Sequence, residues 1–107
     1  MGQLVIHRTS PDAHHSVTLT LVGELDVGSI SEFCDIVVRT LRSDGRHLMV
    51  DLDGITYCDN GSLYTILGIR HATDHVGGSL AITAASAPVH NALHHNGLHR
   101  VLTITPQ

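Results

Sequence analysis

Apolar positions change their period several times along this chain, and each change marks an element. Between Ser16 and Val22, Val17, Leu19 and Leu21 alternate with Thr18 and Thr20, the period of a half-buried strand. Gln3 to Arg8 reads as a short strand before it. The polar, proline-containing stretch Pro11 to His15 reads as the turn that joins the two into a hairpin. From Ile30 the period lengthens. Ile30, Phe33, Cys34, Val37, Val38 and Leu41 fall at i, i+3, i+4, i+7, i+8 and i+11, one continuous helical face. Ser29-Ile30-Ser31-Glu32 in front of it has the form of a capping box, with a hydroxyl at the N-cap and a carboxylate three residues on. Ser43 to Gly45 ends this helix.

His47 to Asp53 contains Leu48-Met49-Val50 and then Leu52, a short apolar run that predicts a strand buried on both faces. Asp53-Gly54 is a turn signal, and Ile55 to Cys58 reads as a brief connector. Asp59 or Asn60 can cap a second helix from Gly61 to His75, with Leu63, Ile66, Leu67, Ile69 and Ala72 inward and Gly77-Gly78 as its stop. Ser79 to Thr83 predicts another strand. Ser86, with Pro88 in the first turn, opens a third helix whose Val89, Ala92 and Leu93 face inward and which Asn96-Gly97 closes. Leu98 to Ile104 predicts a last strand centred on Val101 and Leu102. The order β-β-α-β-α-β-α-β predicts an α/β fold: a mixed, mainly parallel sheet with an N-terminal hairpin and helices packed on it.

Composition narrows the picture. A chain of 107 residues, 42% of them hydrophobic, fits a single domain, 1–107, with one modest core. Trp is absent, and Phe33, Tyr57 and Tyr64 are the only aromatics, so Leu, Ile, Val and Ala must build that core. The six cationic residues are all arginines, scattered along the sequence, which gives no nucleic-acid footprint; the absence of Lys fits a GC-rich coding bias. The formal charge is −4 with His neutral, but ten histidines, partly protonated near pH ~6.5, would offset much of it. Net charge therefore does not identify a partner. Cys34 and Cys58 read as free thiols in a reducing compartment. Met1 to Arg8 lacks a signal-peptide apolar region, and no apolar run approaches the ~20 residues needed to span a bilayer. A cytoplasmic location without a membrane span is expected.

Three segments together resemble the STAS domain: Gly23-Glu24-Leu25-Asp26, similar to the family's G-x-L-D turn; Val50-Asp51-Leu52-Asp53-Gly54-Ile55-Thr56-Tyr57-Cys58-Asp59, similar to its approach to a regulatory loop; and Gly77-Gly78 through Ala87-Pro88-Val89 to Asn96-Gly97-Leu98, similar to its last helix and exit. The resemblance runs over nearly the whole chain. It implies an anti-sigma factor antagonist, a non-catalytic regulator without a cofactor. Such a domain captures an anti-sigma factor that is also a serine kinase of the histidine-kinase-like ATPase class, releasing a sigma factor, and is itself switched off by phosphorylation. The family's loop reads D-S-S-G-L with the second Ser as acceptor. Here Asp59-Asn60-Gly61-Ser62-Leu63 puts Gly61 at the acceptor position and makes Ser62 the phospho-acceptor candidate. A hydroxyl moved by one residue turns about 100° around the helix axis. A phosphate there would meet the unpartnered N–H groups at the helix start, so the folded domain is expected to tolerate it.

Asp26, Asp59, Asn60, Gly61, Ser62 and Tyr64 form the expected contact end. Gly68, His71 and His75 continue a stripe from Tyr64 at i+4, i+7 and i+11, away from the apolar face. The alternative within the fold is a scaffold or transporter-associated STAS module, such as the cytosolic component of a lipid-transport system. Other chemistries fit less well. Asp51-Leu52-Asp53-Gly54-Ile55 mimics the D-x-D-G-T signature of haloacid-dehalogenase-like phosphatases, but it lies mid-chain, lacks the Thr and has no Lys to serve it. His71/His75 and His90/His94 are i, i+4 pairs able to offer two imidazoles each, with His95, His99 or Asp74 as a third ligand, yet no H-E-x-x-H is present. Cys34 falls on the core face and Cys58 reads as structural.

Overall fold

The computed structural model describes residues 3–10, 12–43 and 45–106. Pro11 of the predicted hairpin turn and Asp44 at the predicted end of the first helix lie outside them. The alternating stretch forms β2 (Ser16–Leu25), paired antiparallel with β1 (Leu4–Arg8). At the foot of this hairpin Asp12 accepts hydrogen bonds from the backbone N–H groups of Ser16 (3.0 Å) and His14 (2.8 Å), which hold its carboxyl below the ordinary range. β3 (His47–Cys58) and β4 (Ser79–Ala85) follow in parallel, giving a four-stranded sheet in the order β1-β2-β3-β4.

Helices α1 (Ile30–Arg42) and α2 (Asn60–His75) connect β2 to β3 and β3 to β4, α3 (Ala87–His95) follows β4, and all three share one core with the sheet. Val17, Leu19 and Leu21 of β2, Leu48, Val50 and Leu52 of β3 and Leu80 and Ile82 of β4 supply its floor. Phe33, Val37, Leu63, Ile66, Val89 and Leu93 come down from the helices. Full burial of each such aliphatic or aromatic side chain stabilises by about 1.5–3 kcal/mol.

Several expectations need correction. First, β3 does not stop at Asp53-Gly54. It runs on to Cys58 because two register shifts insert extra residues against β2: Thr20 faces Asp51 but Val22 faces Gly54, and Gly23 faces Ile55 but Glu24 faces Tyr57. Such bulges bend and re-aim a strand without ending it. Gly54 fits the closest approach, since a Cβ there would sit 2.9 Å from a Val22 methyl and 3.1 Å from the Leu21 carbonyl oxygen. Nor is β3 buried on both faces: Met49 and Asp51 are half-buried and Asp53 is exposed. Second, Ser29 forms no capping box and its side chain makes no cap hydrogen bond. Third, the α1 face is rotated, with Val38 46% exposed and Thr40 buried, its hydroxyl donating to the Ile36 carbonyl at 2.6 Å. Fourth, Ala72 of α2 is exposed and Thr73 takes the inward position. Fifth, the last segment is a short 3-10 turn, Leu98–Arg100, and only Ile104 meets the sheet, in a single bridge to Ile82. Leu98 and Leu102 are buried while Val101 is 49% exposed.

Candidate functional site

The parallel strands end side by side, and the segments leaving β2 and β3 are locked together there. Gly23 has φ +120°, a conformation that L side chains rarely adopt, and a Cβ at this position would run into the Gln3 carbonyl. Beyond it the chain turns at Asp26-Val27-Gly28. The Asp26 carboxylate accepts from the N–H groups of Gly28 (2.9 Å) and Ser29 (3.1 Å). Ser29 is fully buried. Its hydroxyl donates to the Glu24 carbonyl at 2.8 Å and accepts from the Asp26 N–H at 3.0 Å. The hydroxyl that the sequence offers as a helix cap is thus spent on the strand exit, and Asp26 organises the turn.

Asp59 does the corresponding work on the other segment. One carboxylate oxygen accepts from the Ser62 N–H at 2.7 Å, capping α2, and the other accepts from the Val27 N–H at 3.0 Å. The Asp59 N–H donates to the Leu25 carbonyl at 3.1 Å, so the two loops are joined by backbone and side chain alike. Asn60 is held from a third element, accepting from the Asn96 amide at 3.0 Å.

The result is an open concavity of about 530 Å³ lined by Glu24, Asp26, Val27, Gly28, Tyr57 and Asp59. Three carboxylates face it, and Val27 stands 88% exposed at its rim. Tyr57, 51% exposed, and Tyr64, 54% exposed, extend the rim toward α2, where Gly68, His71 and His75 are also exposed. Of the expected contact residues, Asp26, Asp59, Asn60 and Gly61 come together here, with Tyr64 one turn farther along. Glu24, Val27 and Tyr57 were not expected at the site. Val27 carries a legible signal, an apolar residue that belongs to no period and sits between two turn formers.

Ser62 departs from expectation. It is 2% exposed, and its hydroxyl is buried with no hydrogen-bond partner. The helical rotation turns it inward beside Leu63 and Ile66, while Gly61 faces solvent. The Ser62 hydroxyl is closed off from solvent in this arrangement.

The other chemistries also meet the geometry. Asp51 and Asp53 lie within β3 and not at its end, and the Asp51 carboxylate accepts from the Asp53 N–H at 2.9 Å. Among the described residues no three His, Cys, Asp or Glu side chains converge to hold a metal ion. His94 and His99 stack, their ring centroids 4.1 Å apart. Burial, reinforced by the adjacent Asp59 charge, pushes the Cys58 thiol up to about 12, so it stays protonated and a poor nucleophile. Burial raises the Cys34 thiol too. No helix among the described residues is long and apolar enough to cross a membrane.

The family model described as "Mlab, STAS domain" matches residues 9–104. Three solved structures share the fold. The anti-sigma factor antagonist SpoIIAA in its unphosphorylated form is 15% identical, with 98% of this chain and 90% of that chain covered and a TM-score of 0.72. An anti-sigma factor antagonist from Mycobacterium paratuberculosis is 14% identical, with 98% and 87% covered and a TM-score of 0.74. The Bacillus cell fate determinant SpoIIAA in the phosphorylated form is 13% identical, with 96% and 93% covered and a TM-score of 0.69.

Proposed function

The chain belongs to the STAS domain family, and from that premise we propose that it is an anti-sigma factor antagonist, acting in the cytoplasm by binding and not by turnover. Its partner in this reading is an anti-sigma factor of the histidine-kinase-like ATPase class, which it captures so that a sigma factor goes free. The observation that carries the reading is the double use of Asp59. One carboxylate holds the exit of β2 and the start of α2 in a single rigid rim, and a rim fixed before contact loses little freedom on docking. Val27 and Tyr64 supply exposed apolar and aromatic anchors, while Asp26, Asp59, Asn60 and Gly61 give a polar surround. Gly68 and His71 extend the surface along α2.

Capture in this reading is constitutive. Gly61, at the solvent-facing position, has no hydroxyl to take a phosphoryl group, and the Ser62 hydroxyl is buried, so phosphoryl transfer would need the first turn of α2 to open. The test is to mix the protein with candidate anti-sigma kinases and ATP, then run size-exclusion chromatography and intact-mass analysis. A stable complex without the gain of about 80 Da that marks a phosphoryl group is the expected result. A phosphorylated protein that no longer binds would replace constitutive capture with a switch at Ser62. Failure to bind any such kinase would remove the antagonist reading. The second reading, a scaffold or transporter-associated module, draws on Gly61 as well, because a module without a phosphorylation cycle needs no acceptor there. Co-elution with a transport ATPase instead of a kinase would favour it.

A further inference from the structure

Arginines of β1, α1 and the segment entering β3 meet at the end of the molecule opposite the acidic concavity. Arg39 and Arg42 occupy the last turn of α1. Arg8, from the edge strand β1, reaches the Thr40 hydroxyl at 3.4 Å, and Arg46, entering β3, reaches the Leu41 carbonyl at 3.4 Å. Four of the six arginines therefore converge on one stretch of helix. Cations at a helix C-terminus are favoured by the helix dipole and by its last carbonyls, which accounts for Arg39, Arg42 and Arg46; Arg8, whose bond is to the Thr40 side chain, is brought there by the edge strand. Among the described residues no carboxylate closes an ion pair with any of the four. Two concavities flank Arg39. One, of about 310 Å³, is lined by Arg8, Ile36, Arg39 and Ser43; the other, of about 340 Å³, by Asp35, Val38, Arg39 and Arg42.

We propose that this end is a second docking surface, which takes an acidic peptide segment of a protein partner. The guanidinium fork matches a carboxylate bidentately, and unpaired arginines on either side of a hollow can receive successive acidic side chains. The hollows and Asp35 decide the class of partner. A bilayer is flat and would meet only the ridge between the hollows. A continuous rail of phosphates, on a membrane or a duplex, would run against the Asp35 carboxylate. A peptide can set its acidic side chains on the arginines, lay an apolar one on exposed Val38 and leave Asp35 free. The surface is distant from the rim that binds the proposed kinase partner, so the two proposals stand or fall separately.

The probe is fluorescein-labelled hexaglutamate, followed by fluorescence anisotropy. The whole protein carries a formal charge of −4, so general attraction works against binding. Binding at about 20 mM salt that fades by about 0.5 M is expected. Reversal with Arg39→Glu plus Arg42→Glu should weaken it about tenfold or more. The milder Arg39→Gln plus Arg42→Gln variant should weaken it while the thermal midpoint falls by only a few degrees and the domain stays folded at the assay temperature, which separates charge loss from unfolding. No anisotropy change with the intact protein at low salt overturns the proposal, as does binding that ignores both variants. Tighter binding to phosphatidylglycerol vesicles or to a short DNA duplex than to the peptide overturns the choice of a protein partner.

Discussion

A carboxylate at the start of a helix ordinarily satisfies one orphan N–H; Asp59 satisfies that of Ser62 with one oxygen and the N–H of Val27, from a distant segment, with the other. Asp59→Ala should therefore cost about 1–2 kcal/mol, the sum of a lost cap and a lost tie between loops. Asp59→Asn should cost less, since its amide keeps one acceptor oxygen. Urea unfolding of the two variants measures both, and a cost for the Ala variant within experimental scatter of zero would mean that the rim is held by backbone alone. A cap at Asp59 or Asn60 was legible because Asp-Asn-Gly stands directly before a helical apolar period, and the structure assigns it to Asp59. Ser29 offered the same signal and went elsewhere: its buried hydroxyl joins the half-buried Glu24 carbonyl and Asp26 N–H instead of the helix N–H groups. At Ser62 the spacing gave the size of the rotation from the acceptor position but not whether it led inward or outward. The unpartnered hydroxyl shows that it led inward.

Among the elements, helices and parallel strands follow the apolar period closely, and the misses have local causes. Asp53-Gly54 reads as a turn, yet in β3 the same pair lies across a bulge, where Gly54 lets Val22 and Leu21 come close. Thr40 entered the α1 core because its hydroxyl bonds back to Ile36, hiding its polarity, so the helix face turned and Val38 emerged. The terminal segment has strand-forming residues, but only Ile104 reaches the sheet. Gly23 is where element and site meet. Its positive φ and the Gln3 carbonyl against it leave no room for a side chain where β2 pairs with both β1 and β3, two residues before its end. Gly23→Ala should destabilise the domain by about 2 kcal/mol or more, through backbone strain and displacement of β1. Thermal unfolding reads the loss, and a variant as stable as the parent would mean that β1 yields without consequence.

At the scale of the whole molecule the charges separate in a way that the sequence conceals. Glu24, Asp26 and Asp59 gather where β2 and β3 end, and no arginine lines that concavity. Arg8, Arg39, Arg42 and Arg46 gather around the last turn of α1, near where those strands begin. Neither cluster is a run in the chain. Each exists because strands that start and finish together, with α1 returning between them, bring distant residues to one end. The family and its topology were therefore readable from ordered motifs, whereas the shape and polarity of the two ends were not. The most direct measurement is amide hydrogen exchange of the protein alone and bound to a captured anti-sigma kinase. Slowed exchange across residues 25–28 and 59–68, with β1 and the outer face of the sheet unchanged, is the expected footprint. Protection confined to the sheet face or to the arginine end, with both loops exchanging as in the free protein, would contradict the account.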